Sequence, residues 1–238
     1  MKPLIIENTE ANELSIQLGL FICEKINKAI QDRNQASLVL SGGSTPKFLF
    51  QFLSEQDIPW EKVTITLADE RCIAANDSAN NGKMLRQSLL KSFAANAKFL
   101  SLYDETTSDP EAIENATSKL SNIDLPYDVV ILGMGDDGHT ASIFPQATNV
   151  EEALDLSNEK ICMLVDPVTT TPLRITQTRR QLLNTRHLIL HFFSSSKRVL
   201  FDELLNKNTS RTFPISYFIH QDQTELSVYC NTLRSSSS

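Results

Sequence analysis

The chain has 238 residues, 41% hydrophobic and 21% charged, enough for one large α/β domain or two small ones with a core of their own. Its 29 acidic and 22 basic residues leave a net charge of −7, which argues against DNA, RNA or an anionic membrane as partner, since such binding is driven by basic surface. Cys23, Cys72, Cys162 and Cys230 are far apart with no CxxC pair, a usage that fits reduced thiols in a cytoplasmic protein better than a disulfide framework or a zinc site.

The N-terminal stretch Met1 to Asn8 lacks the apolar core and cleavage site of a signal peptide, and no apolar run approaches the ~20 residues of a membrane span. Apolar residues at Leu14, Leu18, Phe21, Ile22, Ile26 and Ile30 have helical spacing. Leu38 to Leu40 reads as a short buried strand, Pro46 to Leu53 as a helix, and Val63 to Ala68 as a strand running into Asp69-Glu70-Arg71. A helix over Asn81 to Phe93 and a strand over Lys98 to Leu102 follow. Asp109 reads as the N-cap of a helix, with Pro110 at its first position, that ends near Leu120. Beyond it come strands Asp128 to Leu132 and Ile161 to Val165, a helix Ile175 to Leu183, a strand His187 to Phe193, a helix Ser196 to Leu205 and a strand Ile215 to Phe218. Ser235 to Ser238 reads as a frayed end. Strands alternate with helices throughout, which predicts an α/β fold with a largely parallel sheet covered on both faces. No repeat, linker or composition break divides the chain, so residues 1–238 are expected to form one domain.

Five of the seven glycines fall in two stretches, Ser41-Gly42-Gly43-Ser44-Thr45-Pro46 and Gly133-Met134-Gly135-Asp136-Asp137-Gly138-His139-Thr140, each directly after a strand. Glycine lets a ligand approach the main chain, and ligands of open α/β sheets bind at the carboxyl ends of strands. With Asp69-Glu70-Arg71, three polar clusters follow three strands on one predicted edge. The first has two readings: a cradle of backbone N–H groups and hydroxyls for a phosphate, or a plain turn in which Ser44 or Thr45 caps a helix. It is not a Walker loop, because no Gly-Lys-Ser/Thr follows. The Asp-Glu-Arg triplet is either a solvated turn or a set of sugar-hydroxyl and phosphate ligands.

The third cluster matches the dinucleotide pattern GxGxxG, but Asp136 and Asp137 would repel a pyrophosphate, and the acidic candidates downstream, Glu151, Glu152 and Asp155, precede the next strand rather than end it. His139 is the informative residue: a nearby carboxylate, Asp136, fixes its tautomer and leaves the other nitrogen as a base near neutral pH. Thr140 and Ser142 do not sit in a G-x-S-x-G elbow, so a covalent nucleophile is not expected. His187, His191 and His220 show no metal-ligand spacing, and His187 and His191 lie in an apolar strand as packing residues.

Leu40-Ser41-Gly42-Gly43-Ser44-Thr45-Pro46, Asp69-Glu70-Arg71-Cys72, and the run from Gly133 to Pro145 resemble the motifs of the 6-phosphogluconolactonase family, in its order. Arg174-Ile175-Thr176 and Lys197 are weaker matches. The resemblance covers nearly the whole chain and implies a Rossmann-like three-layer sandwich shared with sugar-phosphate isomerases. It implies hydrolysis of 6-phospho-D-glucono-1,5-lactone to 6-phosphogluconate in the oxidative pentose phosphate pathway, with no metal or cofactor. Carried over by residue, His139 is the general base, Asp136 orients it or holds substrate, and Arg71 steadies developing charge or phosphate. Gly42, Gly43, Ser44, Thr45, Asp69, Asn81 and Gly135 line the substrate pocket, and Arg174 and Lys197 take the phosphate. The expected partner is a small sugar-phosphate lactone, the expected location the cytoplasm, and the expected state a monomer or weak homodimer.

Two positions depart from the family pattern. Thr169-Thr170-Thr171-Pro172-Leu173 lacks a lysine common before Arg-Ile-Thr, and Asn231 stands where an aspartate is common. An aminosugar-phosphate isomerase or deaminase of the same fold, or a non-catalytic sugar-phosphate sensor, are the competing expectations. Against the first, Thr140-Ala141-Ser142-Ile143-Phe144-Pro145 stands where an Asn-Glu-Pro run would be expected.

Overall fold

A computed structural model describes residues 2–168, 172–206 and 212–232, so the Thr169–Thr171 departure and the Ser235–Ser238 tail lie outside the described residues. Seven strands form the main sheet: β1 (Leu4–Asn8), β2 (Ala36–Leu40), β3 (Val63–Leu67), β5 (Lys98–Leu100), β6 (Tyr127–Leu132), β9 (Thr185–His191) and β10 (Leu226–Asn231). Their spatial order is β1-β10-β9-β6-β2-β3-β5, and every pairing is parallel. Helices cover both faces of this sheet. The order places a switch point at its centre. From β2 the chain runs outward through β3 to β5, returns to β6 on the other side of β2, then runs outward through β9 to β10.

Strands buried on both faces need near-continuous apolar runs, and all residues of β2 and β6 are buried. The longest helix, α1 (Ala11–Arg33), packs against β1, β2, β6 and β10. Its Leu14, Leu18, Ile22 and Ile26 recur every four residues and are fully buried, which gives the sheet its largest helical cover. Shorter helices follow: α2 (Lys47–Ser54), α3 (Asn81–Ser88), α4 (Asp109–Ser121), α5 (Val150–Leu154), α6 (Arg179–Leu183), α7 (Ser195–Asn206) and α8 (Ser216–Ile219). No helix among the described residues is long and apolar enough to cross a membrane.

The α/β class and the parallel sheet agree with the sequence, and several elements differ. The helix expected over Asn81 to Phe93 stops at Ser88, and a 3-10 turn over Ser92–Asn96 follows, with Ser92 at φ 49°, which no α-helix admits. The cap of α4 is Ser108 rather than Asp109: Glu111 reaches back to accept from the Ser108 N–H at 3.0 Å and from its hydroxyl at 2.8 Å. The helix expected over Ile175 to Leu183 is a strand, β8 (Arg174–Gln177), followed by α6, whose Thr178 cap accepts from Gln181 N–H at 3.3 Å. The strand expected at Ile215 to Phe218 is the short helix α8. β1 and β10 were not expected as strands, and they pair with each other at one end of the main sheet.

A second, antiparallel sheet joins β4 (Asp69–Arg71), β8 and β7 (Cys162–Val165) in the order β4-β8-β7. It is secured by Glu70, which is fully buried. One Glu70 oxygen accepts from the N–H groups of Arg71 at 2.7 Å and Asn81 at 2.8 Å, and the other from Gly82 at 2.7 Å. The carboxylate therefore ties β4 to the start of α3, where backbone donors lack helical partners. Burial pushes the Glu70 carboxyl up to about 6, against those N–H donors, so it is ionised at neutral pH. Glu70→Gln would set an amide N–H₂ against at least one of these N–H groups. A loss of about 1–3 kcal/mol in urea unfolding is expected, and an unchanged midpoint would show that the clamp is unimportant.

Candidate active site

The two glycine stretches follow β2 and β6, the neighbouring strands on either side of the switch point, so both open into the same crevice. Together with β4, β8, β9 and α7 they enclose a cavity of about 420 Å³. Every site residue expected from the sequence lines it: Gly42, Gly43, Ser44, Thr45, Asp69, Arg71, Asn81, Gly135, Asp136, His139, Arg174 and Lys197.

In the first turn, a side-chain carbon at Gly42 would overlap the Asn81 amide, which is itself held by the Asp69 carbonyl at 3.0 Å. Gly43 sits at φ 103° with open space around it, a conformation that favours glycine. The backbone N–H groups of Gly43, Ser44 and Thr45 have no hydrogen-bond partner among the described residues. α2 begins at Lys47 with Pro46 as its N-cap, so the reading in which Ser44 or Thr45 caps the helix through its side chain is not met. Successive free donors ahead of a helix suit an anion.

The turn after β6 is closed by its own main chain: Gly135 N–H donates to the His139 carbonyl at 2.9 Å, Gly138 N–H to the Gly135 carbonyl at 3.1 Å, and Thr140 hydroxyl to the Gly133 carbonyl at 2.8 Å. Gly138 takes φ 75°, and a side-chain carbon at Gly135 would overlap the His139 ring. This folding corrects the sequence assignment of the orienting carboxylate. Asp137, not Asp136, meets His139: its Oδ1 lies 2.6 Å from Nδ1 and accepts the His139 backbone N–H at 3.1 Å. Asp136 instead accepts from the Ser196 hydroxyl at 2.7 Å. Burial raises the Asp137 carboxyl, but the His139 ring bond, its charge and its N–H outweigh burial and hold it below the usual range. An ionised Asp137 makes Nδ1 the protonated nitrogen and leaves Nε2 with a free lone pair. Phe144 lies under the imidazole, ring centroids 4.5 Å apart.

Arg71 and Arg174 form a cation wall of the cavity from β4 and β8, and Lys197 lines it separately from α7. Arg71 and Arg174 face each other across the β4–β8 pair. Like charges directly opposite on a sheet repel, so the pair is a standing demand for an anion. Arg71 donates to the Ala79 carbonyl, and its Nε is buried without a partner. Arg174 donates to the Pro172 carbonyl at 3.2 Å and lies 5.8 Å from the Phe144 ring centroid. Burial first, and then the Arg71 charge, hold Arg174 below the usual guanidinium range. Lys197 has no ion-pair partner among the described residues.

The carboxylate Asp69 accepts from the Ser142 hydroxyl at 2.6 Å. Cys72, beside Arg71, has its thiol pushed up to about 12 by burial first and then by Asp109 and Glu70, so it is protonated at neutral pH. Asn231 accepts from Ser194 N–H at 2.9 Å, near the start of α7. His191, read from sequence as a packing residue, is also at the cavity. It is 4% exposed yet lines the cavity, and its Nδ1 is buried without a partner. Its position in the apolar run of β9 hid it, because strand patterning does not show which end of a strand meets a ligand.

A switch-point crevice with a cation wall, free backbone donors and a carboxylate-oriented histidine places the chain among α/β proteins whose crevice suits a small anion. A family model described as glucosamine-6-phosphate isomerases/6-phosphogluconolactonase matches residues 9–228, and the chain belongs to this family. The chain is 35% identical over 225 residues to the 6-phosphogluconolactonase of Rhizobium meliloti, covering 94% of this chain and 96% of that one. It is 33% identical to the 6-phosphogluconolactonase of Pseudomonas aeruginosa, covering 90% of each. A crystal structure of a 6-phosphogluconolactonase from Shewanella baltica superposes with a TM-score of 0.93 at 36% identity, covering 97% of this chain and 98% of that one.

The buried His191 gives a pH prediction. Burial holds its imidazole down to about 4, against 6.5 ordinarily. A base with a lowered folded pKa contributes stability that is fully present above pH 6.5 and is lost as pH falls through 4. Wild-type stability is expected to fall by roughly 3 kcal/mol across that interval from this group, and His191→Phe should remove that part of the fall. Chemical denaturation at pH 7, 5.5 and 4.5 measures it, and parallel pH curves for the two proteins would contradict it.

Proposed function

We propose that residues 1–238 act as one lactonase domain that hydrolyses 6-phospho-D-glucono-1,5-lactone to 6-phospho-D-gluconate. The observation that carries the reading is His139, its Nδ1 held by Asp137, standing in one cavity with Arg71, Arg174 and Lys197. The similarity to 6-phosphogluconolactonases supports it.

The phosphate rests on Arg174 and Lys197 and on the free N–H groups and hydroxyls of Ser44 and Thr45, a dianion matched by cations and oriented donors. Arg71, paired across the sheet with Arg174, steadies the developing charge or the phosphate. Gly42, Gly43, Asn81, Asp69, Gly135 and Asp136 shape the walls around the ring. With the lactone so held, His139 Nε2 takes a proton from water as the water oxygen bonds to the C1 carbonyl carbon. Asp137 steadies the imidazolium that forms. The tetrahedral oxyanion collapses, the bond from C1 to the ring oxygen breaks, and that oxygen takes the proton back from Nε2. The product is an open-chain acid, which ionises. Atoms balance with water as the only co-reactant, and no electrons are transferred to an acceptor.

The acidic balance of the chain argues against a nucleic-acid partner, and its free cysteines support a cytoplasmic protein. A monomeric glucosamine-6-phosphate deaminase shares the fold at a TM-score of 0.78 but only 16% identity, so the aminosugar reading rests on architecture alone.

His139→Ala is expected to lower kcat on freshly prepared lactone by roughly 10²–10⁴-fold, with little change in unfolding. Turnover like wild type, measured above spontaneous ring opening by acid release at neutral pH, would remove His139 as the base. Lys197→Ala and Arg174→Ala should chiefly raise KM, by about 10-fold or more for a lost charge-assisted contact worth ~1.5–3 kcal/mol. An unchanged KM in either would clear that residue of phosphate contact.

A further inference from the structure

The mechanism above leaves two polar side chains of the cavity without a task, Ser41 and His191, and of these only His191 carries a ring able to both donate and accept at separate atoms. His191 ends β9, and its neighbour Leu190 pairs with Leu132, just before the glycine turn that carries His139. The other three histidines are accounted for. His139 meets Asp137, His220 Nε2 lies 2.8 Å from the Leu204 carbonyl, and His187 packs edge-on to Phe21 with ring centroids 5.5 Å apart. His191 has no hydrogen-bond partner on either ring nitrogen among the described residues. Nδ1 is closed off from solvent, and the cavity is the space left open to the ring. Nε2, which also lacks a protein partner but is not sealed off, is therefore the nitrogen that a ligand in the cavity can reach.

The chemistry of the missing partner follows from charge. Burial alone depresses the imidazole, and no nearby carboxylate opposes it. A neutral imidazole presents one donor and one acceptor. An anion calls for cations, and Arg71, Arg174 and Lys197 already stand in this cavity for that purpose. A sugar hydroxyl, which both donates and accepts, is complementary to Nε2 of a neutral imidazole in either tautomer.

We infer that His191 is a specificity-determining residue that hydrogen-bonds one ring hydroxyl of the substrate and so selects a hydroxylated sugar lactone over its deoxy analogue. This rests on the lactonase reading above. A site built to bond a hydroxyl rejects a ligand lacking it, because its own buried group is then left unpaired.

The test is a cycle of protein and substrate changes: wild type and His191→Phe, each with 6-phosphogluconolactone and its 2-, 3- and 4-deoxy analogues. Wild type is expected to lose about 10- to 100-fold in kcat/KM on one of the deoxy lactones relative to the parent. His191→Phe should lose a similar factor on the parent lactone and nothing further on that same analogue, while its discrimination of the other two stays as in wild type. His191→Asn, which keeps a donor and an acceptor, should restore part of the selection. Equal losses on all four substrates would overturn the inference and make His191 a packing residue. Should His191→Phe fail to fold, His191→Asn and His191→Leu carry the same cycle. Calorimetric binding of 6-phosphogluconate and its deoxy forms repeats it without turnover. A wild type that binds and discriminates these acids but does not hydrolyse the lactone would sink the lactonase reading and leave the hydroxyl contact standing.

Discussion

Two parallel strands lie side by side, β2 and β6, and their connections leave in opposite directions. No loop can cover the gap between their carboxyl ends, so a crevice opens there as a consequence of strand order. The glycine turns, the cation wall and the histidine all depend on this constraint. Glycine is needed in both turns because the main chain must fold tightly at the crevice: Gly43 and Gly138 take positive φ, and Gly135 lies against the His139 ring.

The second constraint is electrostatic. A chain with a net charge of −7 must present an anionic ligand with local cations while keeping its own nearby carboxylates occupied. The carboxylates around the crevice each have a donor: Asp69 takes Ser142, Glu70 takes backbone N–H groups, Asp136 takes Ser196 and Asp137 takes His139. Arg71 and Arg174, held opposite each other by the small antiparallel sheet, are left to meet the ligand. The clamp of Glu70 on α3 thus serves the site indirectly, since it fixes the strand that carries Arg71.

Much of this was legible in the residue order. β2, β3 and β6 are legible because buried parallel strands read as short, mainly apolar and β-branched runs, and the site turns because glycines in a glycine-poor chain stand out. β1 and β10 escaped notice because Leu4–Asn8 and Leu226–Asn231 mix apolar and polar residues without a clear period, and their pairing joins the two ends of the chain. The stretch from Ile175 reads as helix because the apolar residues of α6 extend its pattern. Its first three residues, Ile175 to Gln177, are claimed instead by cross-strand bonds to β4 and β7. The choice between Asp136 and Asp137 was not legible, because both lie within reach of His139 in sequence. The tight turn that Gly138 permits decides which one meets the ring. His191 was hidden for a related reason: an apolar strand shows its pattern, but not which of its residues reaches the crevice.

The central claim is that the Asp137–His139 pair is the acid–base element of the site. The most direct measurement is kcat on freshly made lactone for Asp137→Asn and Asp136→Asn, side by side. An amide at 137 favours the wrong imidazole tautomer and leaves the imidazolium unsupported, so kcat should fall by about 10²-fold or more, while Asp136→Asn should act mainly on KM. A kcat that collapses in Asp136→Asn and survives in Asp137→Asn would contradict the account.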